Sequence, residues 1–255
     1  MKTISLPGLA LMGILLTSCF TATGININNG KDSDATVKKV VKTAYFNEIQ
    51  ATQGIKVIVS QGEFPGNVSI ATTPSAEEYL QVKVSDGKLK IYYDNKNAKG
   101  TIKGPSIITV TVPELEEANL SSGAYLLLKD AFTTTNKMEF DLSSGSDLRI
   151  ENLSCPNLSI ETSSGSSADV ENFKGNLDAD SSSGSSINIA SAEGGDFEFD
   201  ASSGSSISAY SVKSSSINAM ASSGASVTLT GKTNRLIEKT SSGGSVKTTK
   251  LSYHK

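Results

Sequence analysis

Apolar and polar residues alternate along most of this chain, and the alternation itself repeats. Before each of a series of Ser-Ser-Gly triplets stands a five-residue run such as Met138-Glu139-Phe140-Asp141-Leu142, with mostly apolar or small residues at its odd positions. After each triplet, the third and fifth residues past the glycine are again mostly apolar, as Leu148 and Ile150 are. A period of two is typical of half-buried β-strands. Each unit therefore predicts a strand, a bend, a second strand and a variable return loop.

The triplets recur at a nearly constant interval, since their glycines are 19 to 22 residues apart: Gly123, Gly145, Gly165, Gly184, Gly204, Gly224 and Gly243. A fixed period of this length indicates a repeat architecture. One unit cannot bury its apolar residues alone, whereas units stacked about 4.8 Å apart bury a continuous core. The pattern predicts an all-β solenoid. An antiparallel hairpin at each triplet is the structural alternative.

The triplet itself predicts a corner in every coil. Glycine tolerates a positive φ without steric penalty, so we expect a positive φ at each of these glycines. Serines are small enough for coils to stack in register, and their hydroxyls can bond neighbouring coils. A nucleophilic serine would need one distinguished triplet beside a base. Seven equivalent triplets and a single histidine, His254, argue against this chemistry.

Residues 37–113 carry strand signals without the repeat. Ile55, Val57 and Val59 recur at every second position, with Lys56 and Ile58 between them, and several later segments have the same period of two. Turn signals separate these segments at Gln61-Gly62, Asp86-Gly87 and Gly104-Pro105. We therefore predict a less regular N-terminal β section over 37–113, followed by the Ser-Ser-Gly repeat over 114–255.

The N-terminal β section resembles the head GIN domain family of auto-transporter adhesins, which is frequent in Bacteroides-like bacteria. The resemblance spans roughly residues 40 to 250, and Lys56 stands where the family often has asparagine. The matching residues are Phe46, Ile49, Gly54-Ile55, Val57, Gln61, Gly62, Gly87, Leu89, Ile91, Pro113, Leu115 and the first Ser-Ser-Gly. The resemblance implies a right-handed parallel β-helix and an adhesin-like role.

The first 36 residues predict export and a lipid anchor. Lys2 and the apolar run Leu6–Leu16 have the form of a signal peptide, which we place at residues 1–18. Leu16-Thr17-Ser18-Cys19 resembles the bacterial lipobox, so we expect acylation of Cys19, with palmitate among the acyl chains, and association with the membrane. Residues 19–36 then form a flexible tether. Phe20 replaces the aspartate that marks inner-membrane retention, which favours an outer-membrane lipoprotein, periplasmic or surface-exposed.

Composition excludes several functions. A formal net charge of −3 and a pI near 5.3 give no basic face for nucleic acid. The sequence contains no phosphate-binding or dinucleotide motif, so we expect no cofactor. The alternative function is that of a polysaccharide lyase or hydrolase of the β-helix type. Because Arg149 and Arg235 are the only arginines and the aromatic residues do not cluster, we expect no enzyme activity.

Acidic residues suggest one further site. Stacking would align Asp141, Glu161, Asp180 and Asp200 in a ladder whose repulsion a hard cation such as Ca²⁺ could relieve. A solvated face that prevents aggregation is the simpler interpretation, and we assign no metal site. Cys155 precedes Pro156 at an expected turn, and it has no disulfide partner if Cys19 is acylated.

These features together predict a lipid-anchored, extracytoplasmic β-helical protein of the cell envelope that binds a partner or has a structural role. The expected partners are the membrane, through Cys19, and a glycan or protein ligand. A second copy of the chain is a further candidate, so that the protein would form a homo-oligomer.

Overall fold

The computed structural model describes residues 37–96, 102 and 104–253. The predicted signal peptide, Cys19, the tether and His254 lie outside these residues. Within them are one short helix, α1 (Pro74–Glu77), and the strands β1 (Val37–Lys42), β2 (Glu48–Ala51), β3 (Lys56–Gln61), β4 (Asn67–Thr72), β5 (Leu80–Ser85), β6 (Lys88–Tyr93), β7 (Ser106–Val112), β8 (Glu117–Leu120), β9 (Tyr125–Thr133), β10 (Met138–Leu142), β11 (Asp147–Thr162), β12 (Ser167–Ser181), β13 (Ser186–Glu193), β14 (Asp196–Ala201), β15 (Ser206–Ala221), β16 (Ser226–Thr240) and β17 (Ser245–Ser252). No helix of the described residues is long and apolar enough to cross a membrane.

The repeat forms a parallel β-solenoid of about seven turns, which confirms the predicted β-helix. Strands on either side of a triplet pair with the corresponding strands of the next coil, not with each other. Asp141 of β10 pairs with Glu161 of β11, and Glu161 pairs with Asp180 of β12, all in parallel register. The antiparallel hairpin alternative is therefore wrong for the repeat.

The return segment is also a strand, which corrects the expectation of a variable loop. β11 continues through residues 147–162, and Asn152-Leu153-Ser154 pair in parallel with Asn172-Phe173-Lys174 of β12. Each of these coils therefore has three hydrogen-bonded sides. Cys155 and Pro156 lie at a shift in register between Ser154 and Asn157, within the strand rather than in a turn.

The core consists of columns of equivalent side chains from successive coils. Predicted inward residues such as Phe140, Leu148 and Ile187 are buried, and the same holds for nearly every coil. One column passes from Phe140 to Ile160, Ala179 and Phe199, with large and small residues alternating in part. Because the N-terminal section contributes to the same cluster, a single hydrophobic core extends through the described chain.

In the N-terminal section, the order of stacking differs from the order of the chain. β2 lies between β6 and β8, and β3 lies between β7 and β9, with all four pairings parallel. Two antiparallel additions close this end of the solenoid: β5 pairs with β6, and β4 joins β7 to β1. The first coil of the chain is thus inserted between later ones.

Each triplet forms a tight turn in which two residues have positive φ. In the turn at Ser163, φ is +53° at Ser164 and +72° at Gly165, and the amide of Ser166 donates to the carbonyl of Ser163 at 3.2 Å. Two central residues of positive φ define a type I′ turn. The prediction for glycine is confirmed, but nothing in the repeat pattern indicates that serine shares the conformation. Gln53-Gly54 form the same turn in the N-terminal section.

The serine after the glycine stabilises the corner from inside. Ser166, Ser185 and Ser205 are buried, and each hydroxyl donates to a carbonyl of the preceding coil. The Ser185 hydroxyl also accepts from the amide of Ser182 at 3.1 Å. The predicted hydrogen bonds between coils therefore come mainly from the serine that follows the glycine of each triplet. A buried donor with no partner would be costly, so these bonds help to fix the register.

Candidate binding surface

The strands that precede the triplets form one sheet whose outward surface we name the front face. It comprises β2, β6, β8, β10 and β14, together with residues 158–162, 177–181, 216–221 and 235–240. Alternation directs every second side chain of these strands outward. The equivalent outward positions of successive coils lie one above another, about 4.8 Å apart.

The predicted acidic ladder is present on the front face. Asp141, Glu161, Asp180 and Asp200 occupy one register column, in that order. Asn119 precedes them and Met220 follows. A second column, two residues towards the N-terminus of each strand, contains Glu117, Glu139, Ser159, Asp178 and Glu198. The first column could be predicted from the spacing of the triplets. Alternation indicates that Glu139, Asp178 and Glu198 of the second column point outward, and the register joins them in a continuous row.

A groove of about 630 Å³ runs along the first column. Asp141, Glu161, Asp180 and Asp200 line it, together with the first serines of the adjoining triplets. Along this corner of the coil, the inward residue at the end of each strand changes from Leu142 to the smaller Thr162, Ser181 and Ala201. A second depression of about 490 Å³ lies beside the second column and includes Asp178 and Glu198.

Basic side chains neutralise only the N-terminal part of this face. Lys88 is 2.9 Å from both Glu48 and Glu117, and Lys137 pairs with Glu139. Further along, the described residues provide no ion pair to the following carboxylates: Glu161, Asp178, Asp180, Glu198 and Asp200. Between residues 138 and 200 the front face carries eight acidic side chains and no basic one. The middle of the front face therefore has a strong negative potential.

Burial and neighbouring charges raise the pKa of three carboxylates of the front face, those of Asp141, Asp178 and Asp180. The pKa of Asp180 is raised to about 6, first by burial and then by repulsion from Asp178, Asp200, Glu161 and Glu198. Burial and neighbouring carboxylates also raise the pKa of Asp178, and burial with the charges of Glu117 and Glu139 raises that of Asp141. Part of the groove is thus protonated at mildly acidic pH.

The ladder does not form a compact cation site. Among residues 37–96, 102 and 104–253, no three carboxylate, histidine or cysteine side chains are grouped so that they could hold a metal ion. The four carboxylates lie along a line, whereas Ca²⁺ requires six to eight converging oxygen ligands. The arrangement gives no support to Asp141, Glu161, Asp180 and Asp200 as ligands of one ion.

The side chains considered for catalysis are dispersed. Arg149 is ion-paired with Glu171 and lies on the strand that follows a triplet, away from the groove. Cys155 is buried, and burial raises the pKa of its thiol to about 11, which keeps it protonated near neutral pH.

Comparison with known proteins identifies the family. The family model described as "putative auto-transporter adhesin, head GIN domain" matches residues 45–223. The chain belongs to this family, as the resemblance in its N-terminal section predicted. The search of the curated proteins gives no match.

Solved structures share the fold. A protein described as a putative adhesin from Bacteroides fragilis superposes with a TM-score of 0.71 at 17% identity, covering 86% of this chain and 99% of its own. A second, described as a putative adhesin from Parabacteroides distasonis, gives 0.66 at 17% identity and covers 85% and 98%. A third, described as a putative lipid binding protein from Parabacteroides distasonis, gives 0.63 at 14% identity and covers 86% and 96%. At these identities the similarity establishes the fold alone.

Proposed function

We propose that this protein is a lipid-anchored, extracytoplasmic protein of the cell envelope that acts as an adhesin. The observation that carries the proposal is its membership of a family described as adhesins. The solenoid supports it, because stacked coils give a rigid, extended surface along which a long ligand can make the same contact many times. The front face, with its groove of about 630 Å³, is the surface that we would test first.

The sequence before the fold supports the location. The lipobox-like Leu16-Thr17-Ser18-Cys19 would connect the solenoid to the membrane through residues 19–36, and Val37 begins β1. The N-terminal end of the solenoid would then be nearest to the membrane, leaving the sides of the coils accessible. We place the protein at the outer membrane, since aspartate is absent after Cys19.

The enzymatic alternative finds no support. A lyase or hydrolase of the β-helix type would need an arginine or lysine base beside the acidic groove and a surface to hold the sugar rings. Arg149 is engaged with Glu171, and the aromatic contacts among the described residues involve Tyr45, Phe46 and Phe64 near the N-terminal end and the core pair Phe197 and Phe199. Binding without catalysis is the function that this geometry favours.

Two experiments test the proposal. In the native bacterium, Cys19→Ala should abolish incorporation of labelled palmitate and move the protein out of the membrane fraction. Unchanged acylation and fractionation would exclude the anchor. For binding, glycan and host-protein arrays should be probed with the Cys19→Ala chain and with a variant carrying Asp141→Asn, Glu161→Gln, Asp180→Asn and Asp200→Asn. A ligand that binds the first and not the second would assign adhesion to the groove, whereas equal binding would move it to another face.

A further inference from the structure

The last three strands of the front face carry an ordered pattern of charge. Their outward residues form three register columns, which are Asp196–Ser216–Arg235, Glu198–Asn218–Ile237 and Asp200–Met220–Lys239. The outer two columns change from a carboxylate through a neutral side chain to a cation. The middle column changes from a carboxylate to an apolar residue. The charge of this part of the face is therefore negative on the β14 side of residues 216–221 and positive on the side of residues 235–240.

The cations of this pattern are available to a partner. Arg235 and Lys239 are exposed, and within the described part of the chain neither forms an ion pair. Asp200 and Met220 are half-buried, and Asp196 is exposed while accepting a hydrogen bond from Ser216 at 2.6 Å. The charges that would satisfy Arg235 and Lys239 lie two coils away on the same face, about 10 Å distant.

We propose that this surface binds a second copy of the chain, with a two-fold axis parallel to residues 216–221. Rotation about that axis keeps the strand direction and reverses the order of the coils. Each column then meets itself in reverse, so Arg235 faces Asp196 of the partner subunit and Lys239 faces Asp200 of the partner subunit. Met220 lies opposite the partner's Met220 at the axis. Because the contact is isologous, each ion pair forms twice.

Other arrangements of the two faces lose this complementarity. A two-fold axis parallel to the solenoid axis would place carboxylates against carboxylates and cations against cations, which is repulsive. The contact covers only three strands on each chain, so its buried area is well below the roughly 800 Å² per partner of a standard interface. We therefore expect a weak dimer that depends strongly on salt, since exposed charges supply much of its attraction.

The dimer goes beyond the proposed adhesin function and does not depend on it. It can be tested by trapping with the full chain carrying Cys19→Ala, so that no thiol remains at position 19, while Cys155 is buried. Met220→Cys should be cross-linked to itself by a bis-maleimide spanning about 8 Å, since packed sheets lie about 10 Å apart. The matched control is Ser208→Cys, a half-buried outward position near the start of β15, just after the triplet Ser202-Ser203-Gly204.

Charge reversal then tests the pairing. In the Met220→Cys chain, Lys239→Glu or Asp200→Lys should each reduce the yield of cross-linked dimer about tenfold or more, because each replaces two attractions by two repulsions. The combination of Asp200→Lys with Lys239→Asp should restore the yield, and raising the salt concentration should reduce it for the unswapped chain. Recovery in the swapped chain would exclude misfolding as the cause of the loss.

The contrary results are equally distinct. Equal cross-linking at positions 220 and 208 would indicate random collision and overturn the proposal. A swapped chain that stays monomeric, or a yield independent of salt, would overturn the pairing of Asp200 with Lys239. Because each chain offers one accessible thiol, cross-linking stops at the dimer; in sedimentation of the chain without cross-linker, species larger than dimers would indicate an open head-to-tail contact and exclude the two-fold arrangement.

Discussion

The middle coils and the last coil of this solenoid have the same plan but different environments. In the coil built from β13 and β14, the inward residues Ile187, Ile189, Phe197 and Phe199 are all buried. At the C-terminal end, Leu236 and Val246 occupy equivalent positions and are only half-buried. A coil with neighbours on both sides buries its apolar residues, whereas a terminal coil has one neighbour. Stability is thus supplied by contacts between coils rather than within them.

The sequence of the last coil is adapted to this exposure. Glu238 stands in the column of Phe199 and Ala219, and its carboxylate accepts from the hydroxyl of Thr248 at 2.8 Å. Inward-facing polar groups and lysines on an open edge discourage pairing with another sheet. The last coil therefore keeps the bend of the repeat without its buried core, so the bend and the core can be perturbed separately.

The largest effect should come from removing a core side chain in the middle. Phe199→Ala should reduce the free energy of unfolding by about 3–5 kcal/mol, because it leaves a cavity between two coils. Leu236→Ala should cost about 1 kcal/mol, since that side chain is already partly in water. Chemical denaturation of both variants measures the difference. Similar losses at the two positions would contradict the dependence on two neighbours.

The next largest effect should come from a glycine that the repeat pattern did not single out. A Cβ at Gly194 would lie 1.8 Å from the carbonyl oxygen of Gly175, so Gly194→Ala must displace the backbone of the adjoining coil. We expect a loss of about 2–4 kcal/mol in the free energy of unfolding.

The matched control is Gly184→Ala. That glycine lies at a triplet with open space around its Cβ, and only its φ of +71° opposes the substitution. A loss of about 1 kcal/mol is expected there. If Gly184→Ala proves as costly as Gly194→Ala, contact with the backbone of the adjoining coil is not the reason for glycine at position 194.

A third comparison concerns the bend itself in the middle and at the end. Gly184→Val and Gly243→Val both place a β-branched residue at positive φ, at roughly 1–3 kcal/mol each. No side chain of an adjoining coil obstructs either position, so the steric clash between coils that stacked glycines suggest is absent. Gly184 still donates to the carbonyl of Ser203 in the next coil, at 3.2 Å. Valine keeps this amide, but its strain at positive φ would shift the turn and weaken the bond. We therefore expect Gly184→Val to reduce the free energy of unfolding more than Gly243→Val does, by about 1 kcal/mol. Equal losses of stability in the two variants would mean that valine destabilises the fold only through strain within the turn.

Sequence periodicity predicted what depends on local spacing. The alternation about each triplet placed Phe140 and Leu148 inward, and the interval of about 20 residues aligned Asp141 with Glu161. The return strand could not be predicted in this way, because its residues vary from coil to coil and close backbone contact, as at Gly194, leaves no periodic signal. The insertion of β2 and β3 between later strands is a non-local pairing. The positive φ of Ser164 opposes the ordinary preference of serine.

The smallest expected effect is a pH dependence of stability that arises from the acidic middle of the front face. The folded-state pKa of Asp180, about 6, lies above its ordinary value of 3.8, so the folded chain holds this proton more tightly than the unfolded chain does. The resulting destabilisation is absent below about pH 4 and develops as the pH rises through 6. The full shift corresponds to about 3 kcal/mol, which solvent screening at a half-exposed carboxyl reduces to about 1 kcal/mol.

Asp180→Asn should therefore stabilise the fold at pH 7.5 and not at pH 4, in denaturation at ~0.1 M salt. Ser159→Asp, which fills the neutral position between Glu139 and Asp178, should steepen the loss with pH. Equal stability of Asp180→Asn and the unchanged chain at both values would mean that the ladder is too well solvated for its charges to interact, and the negative potential assigned to the groove would have to be reduced accordingly.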